Sequence, residues 1–447
     1  MFSVTSLGFL PFMALFVCLW YRVPQPSRWK LVLAANAVFC LSIDIGAFFA
    51  VALATAVVWQ AAQHAQPEQP SRRGWLALGL AAALLPLLVL KYSGMLVPGL
   101  RDLYKPFGLA YYSLQLAGYL LDVWHGRTAP TPSYARLWCY AGFFLSLTQG
   151  PFNRYNTLMP QLEAAPKTFE TQRLVSGLQR SAWGYFKKFA IADRAAIVVS
   201  AAFADPASFD RSQLIFATVM YSFQLYADFS GYTDIVLGMG EILGLHLPEN
   251  FRQPFFSASV KELWARWHIS LSQWFRDYVY IPLGGNRKGL KRQIFNLFVV
   301  ELLTGIWHGA NWNFICWGLY YFVLLALEKL FLLPYLKKGK VWPHIYTLFL
   351  VVVGWAMFVG NDAGVEFGLL FRKLFIPSGG VMPLYFLRNY GVLLAVSVVC
   401  CTPLIEKLWK LLSRNAITKA LTILVLLTVS MAYVVGSTNS PFLYFNF

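Results

Sequence analysis

Two of the three histidines that follow a tryptophan stand out: Trp267-His268 in a polar segment and Trp307-His308, forty residues on, in an apolar one. Placing an imidazole among apolar helices costs desolvation free energy. Proton chemistry is the usual return, because a neutral ring near physiological pH serves as a general base. His308 sits in Thr304-Gly305-Ile306-Trp307-His308-Gly309-Ala310-Asn311-Trp312. The small residues let a neighbouring backbone or a ligand approach closely, and the Trp rings exclude water and shape a slot. Asn311, three residues on, reaches the imidazole if the segment stays helical. Glu301 stands two turns before His308, about 10 Å along a helix axis. It reads first as an interior acid paired with Arg or Lys, and second as a functional group. His268 divides evenly between a packing residue and a functional one. Trp124-His125, running into Gly126-Arg127, reads as an interfacial anchor.

The elements that must hold these residues are membrane helices. Of 447 residues, 58% are hydrophobic and 13% charged, about half the charged share of soluble domains. The net charge of +17 does not indicate nucleic acid, because the basic residues cluster in short connections. Arg22, Arg28 and Lys30 form one cluster, Arg72 and Arg73 another. Lys337, Lys338 and Lys340 form a third, and Lys407, Lys410, Arg414 and Lys419 a fourth. That is the positive-inside pattern. Six cysteines without paired spacing predict neither a disulfide framework nor a zinc site.

Apolar stretches predict an all-α polytopic membrane protein with about 10–13 spanning or re-entrant helices. The chain 1–447 reads as a single embedded domain. It comprises N-terminal helices over 1–210, a core over 211–335 and C-terminal helices over 336–447. The first helix reads as uncleaved, and the tail after Gly436, lacking Lys and Arg, as lying outside. Within the core, 248–292 is interfacial; its stretch from Lys261 to Arg292 carries seven Lys/Arg and two acids. Trp264, Trp267, Leu271, Trp274 and Tyr278 fall at helical spacing and predict one aromatic stripe on a helix, with Lys261, Arg266, Arg276 and Asp277 off it. Arg287, Lys288, Lys291 and Arg292 could hold lipid headgroups or the phosphates of a cytosolic donor. Nucleotide loops and common hydrolase motifs are excluded: Gly284–Gly289 is followed by Leu290, and neither HExxH nor GxSxG occurs.

The runs Phe229-Ser230-Gly231-Tyr232-Thr233-Asp234, Pro248-Glu249-Asn250-Phe251 and Trp264-Ala265-Arg266-Trp267-His268-Ile269-Ser270-Leu271-Ser272 resemble bacterial membrane-bound O-acyltransferases. So do Trp274-Phe275-Arg276-Asp277-Tyr278, Trp307-His308-Gly309-Ala310-Asn311-Trp312 and the terminal Pro441–Phe447. Gly284-Gly285-Asn286-Arg287-Lys288-Gly289 resembles the branch that acetylates exopolysaccharides such as alginate. The resemblance implies helices around a central funnel, His308 as catalytic residue and His268 as a second important one. Phe152-Asn153 and Glu301 depart from the family pattern.

The resemblance implies acetyl transfer from acetyl-CoA, or from an acyl carrier protein, in the inner membrane. No bound cofactor and no metal is required. His308 is expected to act as base, with Asn311, or His268 if protonated, as oxyanion donor. Trp307, Trp267, Arg266, Arg276 and Asp277 are expected to line the substrates. The resemblance adds a periplasmic acyltransferase partner and a polysaccharide acceptor, with membrane lipid around the bundle. Peptidoglycan acetylation, D-alanyl transfer and proton-coupled transport of an acyl donor or lipid-linked sugar are the alternatives.

Overall fold

The computed structural model describes residues 4–6, 8–67, 69–100, 103–362, 372–374 and 383–435. The expectations for the tail after Gly436 and for Pro441–Phe447 lie outside the described residues. All regular elements described are helical. Five described helices are long and apolar enough to cross a membrane: Ile45–His64, Arg72–Leu96, Trp312–Leu336, Trp342–Val359 and Ala416–Val434. The pair Tyr385–Cys400 and Leu404–Leu412, bent by 81°, makes a sixth if it counts as one span. Other apolar stretches are shorter, such as Phe9–Arg22, or broken. The stretch at 135–150 is a short helix, Tyr134–Ala141, followed by buried turns. Irregular backbone at such depth survives only where protein surrounds it, and here the Asn153 amide donates to the Ser146 hydroxyl at 2.8 Å.

The chain divides into two compact units. One comprises Met1–Ser181 with Tyr232–Glu249. In it Arg28 is no loop cation: it is buried, donates to the carbonyls of Ala165 and Pro166, and stacks 4.9 Å from Trp20. Arg180 pairs with Asp234 at 3.1 Å and Glu249 at 2.7 Å, which gives two acids of the quoted motifs a structural task.

The other unit comprises Ala182–Gly231 with Asn250–Phe447 and carries both sequence-singled histidines. Lys188 is buried between Asp193 and Asp228, at 2.9 and 2.8 Å. At the unit's centre, Gly289–His308 and Trp312–Leu327 form an antiparallel hairpin. A Cβ on Gly305 would lie 2.5 Å from the Phe314 carbonyl oxygen, and one on Gly318 would lie 2.5 Å from that of Glu301. The helices therefore touch backbone to backbone, as small residues permit in membranes. That contact fixes the register: Glu301 is level with Gly318, and Gly305 with Phe314. Replacing Gly305 with Val should force the hairpin apart, at a cost of about 1–3 kcal/mol. Thermal unfolding in detergent should show a lowered midpoint, and an unchanged midpoint would contradict the close contact.

Candidate active site

His308 is the last residue of Gly289–His308. The helix stops there because Gly309 is fully extended, at φ −178° and ψ 164°. Its imidazole is buried within a ring of aromatic side chains. Centroid distances are 5.0 Å to Trp307, 5.1 Å to Trp317, 5.3 Å to Phe358 and 6.2 Å to Phe314. Asn311 does not bond it through a continuing helix, as the sequence suggested. With the helix ended at His308, Asn311 instead caps Trp312–Leu327, accepting from the Asn313 amide at 3.2 Å, and is exposed.

The aromatic stripe is likewise not one helix. Val260–Arg266 and Ile269–Phe275 are separate seven-residue helices, broken at Trp267-His268. His268 takes a left-handed conformation, φ 45° and ψ 52°, uncommon for a residue with a Cβ. Asn250 secures the break. Its carbonyl accepts the Ile269 amide at 3.0 Å, and its side-chain oxygen accepts the Ser270 amide at 3.0 Å and the Ser270 hydroxyl at 2.7 Å. Glu328 fixes the preceding helix by accepting the amides of Val260 and Lys261 at 2.7 and 3.0 Å. The kink turns the His268 ring edge-on to Phe229 at 4.8 Å and places it 6.0 Å from Trp307. Trp307 is thus in contact range of both imidazoles. His268 lies outside the spanning helices, and burial lowers its pKa from 6.5 to about 3, so the ring is neutral at physiological pH. Burial therefore works against a protonated His268 as oxyanion donor, and a neutral ring still carries one N–H.

Both histidines line one cavity of about 500 Å³. One wall is a single helical face, Leu297, Glu301, Thr304 and His308, at spacings of three and four. Trp264, Trp267, Leu271 and Phe275 face it from the broken segment. Lys261, Arg276 and Asn286, all exposed, lie at the other end beside Lys329. From the hairpin register, Lys329 is level with residue 290, roughly 25 Å from His308 along the axis. One cavity with a basic opening thus reaches a sheltered imidazole.

The model of the MBOAT, membrane-bound O-acyltransferase family matches residues 92–363, which include every residue of this cavity. The chain belongs to the membrane-bound O-acyltransferase family. It is 34% identical to "Probable alginate O-acetylase AlgI" of Azotobacter vinelandii, over 79% of this chain and 74% of that one. With the Pseudomonas putida protein of the same name it shares 35%, over 79% and 76%. A Helicobacter pylori protein named "Peptidoglycan O-acetyltransferase" is 32% identical over 60% of this chain and 57% of that one. The resemblance drawn from the motifs is borne out, and the chain is a multi-pass membrane O-acyltransferase.

The structure brings only some of the expected site residues of this acyltransferase to the cavity. His268, His308, Trp267 and Arg276 line it. Trp307 packs behind both rings, and Arg266 turns instead to Glu262, at 2.5 Å. Asp277 pairs with Arg276 at 2.8 Å. Arg287, Lys288 and Lys291 are exposed, and Arg292 donates to the Leu283 carbonyl at 2.8 Å. Trp124 lies under the Arg72 guanidinium at 3.9 Å, in the unit without the cavity. Sequence reasoning missed the bracing roles of Asn250 and Glu328. Asn250 stood in a quoted motif, but an isolated amide carries no sign of which backbone groups it satisfies.

Asn250→Ala should leave the Ser270 amide and hydroxyl without their acceptor, costing about 1–3 kcal/mol, and should reduce transfer because His268 loses its bracing. Thermal midpoint and turnover together check this, and full turnover in the variant would separate Asn250 from the site. The depressed His268 pKa makes a second prediction, about stability. Once unfolded, the ring binds a proton below about 6.5, whereas folded it stays neutral to about 3. Its contribution therefore opposes folding increasingly as pH falls below 6.5. The wild-type midpoint should drop more between pH 7 and pH 5 than that of His268→Gln, and parallel curves would contradict this.

Proposed function

We propose that this enzyme transfers an acetyl group from cytosolic acetyl-CoA toward hydroxyls of an extracytoplasmic, alginate-like polysaccharide. It does so in the bacterial inner membrane, through a periplasmic partner acyltransferase. The observation that carries this reading is the single cavity joining a basic opening to His308. Arg276 and Lys261, with the exposed Arg287, Lys288 and Lys291 nearby in sequence, suit the donor's phosphates. A thioester arm then reaches inward to the imidazole.

His308 takes the proton of the acceptor hydroxyl as its oxygen attacks the thioester carbonyl. The tetrahedral oxyanion collapses, the carbon–sulfur bond breaks, and the thiolate leaves to collect a proton, so that one ester and one thiol form. Removing the hydroxyl proton in the transition state is worth about 10²–10⁴-fold. The aromatic ring around His308 keeps water from competing for the thioester. A neutral His268 N–H, lining the same cavity, serves as donor to the oxyanion.

Peptidoglycan as acceptor is the second reading, favoured by the Helicobacter pylori relative. Purified protein given radiolabelled acetyl-CoA should release free CoA and label an acceptor, with alginate and peptidoglycan fragments supplied in parallel. His308→Ala should lower that transfer by at least about 10²-fold while still eluting as a folded species. Retained transfer in the variant would falsify the role of His308, and label movement without thioester cleavage would mark a transporter.

A further inference from the structure

Glu301 is an ionisable group that the reaction just described does not use. It is 7% exposed, and the small surface it keeps faces the cavity, on the helical face that carries His308. The expected Arg or Lys partner is not there: among the described residues Glu301 makes no ion pair. Its backbone is held in place, because its own carbonyl packs against Gly318. Nearby Thr304 offers no donor, since its hydroxyl gives its proton to the Val300 carbonyl at 2.8 Å. A carboxyl buried in a largely apolar passage is costly unless something in that passage donates to it.

The geometry narrows what that donor is. Two helical turns place Glu301 about 10 Å from His308, on the side of the hairpin that leads to Lys329 and the basic opening. A molecule entering there passes Glu301 before its end reaches the imidazole. The arm of an acyl-CoA carries two secondary amides, the outer amide nitrogen seven bonds from sulfur, roughly 8 Å when extended. With the acyl carbonyl at His308, that outer N–H comes level with Glu301.

We propose that Glu301 is a positioning residue for the acyl donor, accepting a hydrogen bond from the outer amide N–H of the thioester arm and so setting how far the acyl group reaches toward His308. This rests on the acyl-thioester reading above and adds to it a length requirement on the donor. Leaving a desolvated amide without an acceptor is worth about tenfold in binding.

The test compares acetyl-CoA with S-acetyl-N-acetylcysteamine, a thioester that ends after the inner amide. Glu301→Leu should raise KM for acetyl-CoA about tenfold with kcat held within about twofold. It should leave the truncated donor's KM unchanged. Glu301→Gln keeps a carbonyl acceptor at the same reach and should restore most of the acetyl-CoA affinity. An equal loss with both donors, or a loss confined to kcat, overturns the proposal while leaving the thioester reading standing. If the wild-type protein cleaves neither thioester, both the reading and the proposal fall.

Discussion

Backbone contact at Gly305 and Gly318 is the constraint from which the cavity follows. Because neither position carries a Cβ, the Glu301 and Phe314 carbonyls can press against the opposing helix. That contact sets the hairpin's register. The register in turn places His308 beside Trp317, and Glu328 level with the start of the broken segment. Any side chain at either glycine would shift one helix against the other and move both ends of the passage at once. In lipid, where apolar burial gives no net drive for helices to associate, such contacts carry more of the specificity than they would in water.

A second set of interactions resolves a conflict. The segment 260–280 has the hydrophobic spacing of one helix, yet the backbone breaks at Trp267-His268. Breaking a helix frees amides that must find acceptors, and here those of Ile269 and Ser270 find Asn250. Trp267 is buried against Phe251, Phe255 and Trp355, so the aromatic residues still face the bundle on both sides of the break. The local helical preference lost because Asn250 compensates the interruption and the kink keeps the apolar contacts.

What was legible in the sequence follows from these same forces. Composition and the basic connections gave the membrane class, and the motifs gave the family, since both depend on residue type alone. The small residues around His308 signalled a close approach, and the structure places it at Gly305 against Phe314. What could not be read was how backbone groups are satisfied over distance. Asn311 looked like a partner for the imidazole but caps the next helix, because Gly309 is extended and ends the first one at His308. Arg28 looked like a loop charge but feeds two carbonyls more than a hundred residues away. Spacing predicts neighbours within a helix, whereas these contacts arise only after the chain has folded back on itself.

The left-handed backbone at His268 has a cost of its own. A glycine would make the same turn without steric penalty. The chain thus carries its ring at a position where the backbone alone would favour having none, and glycine there would keep the bend while emptying the space between Phe229 and Trp307.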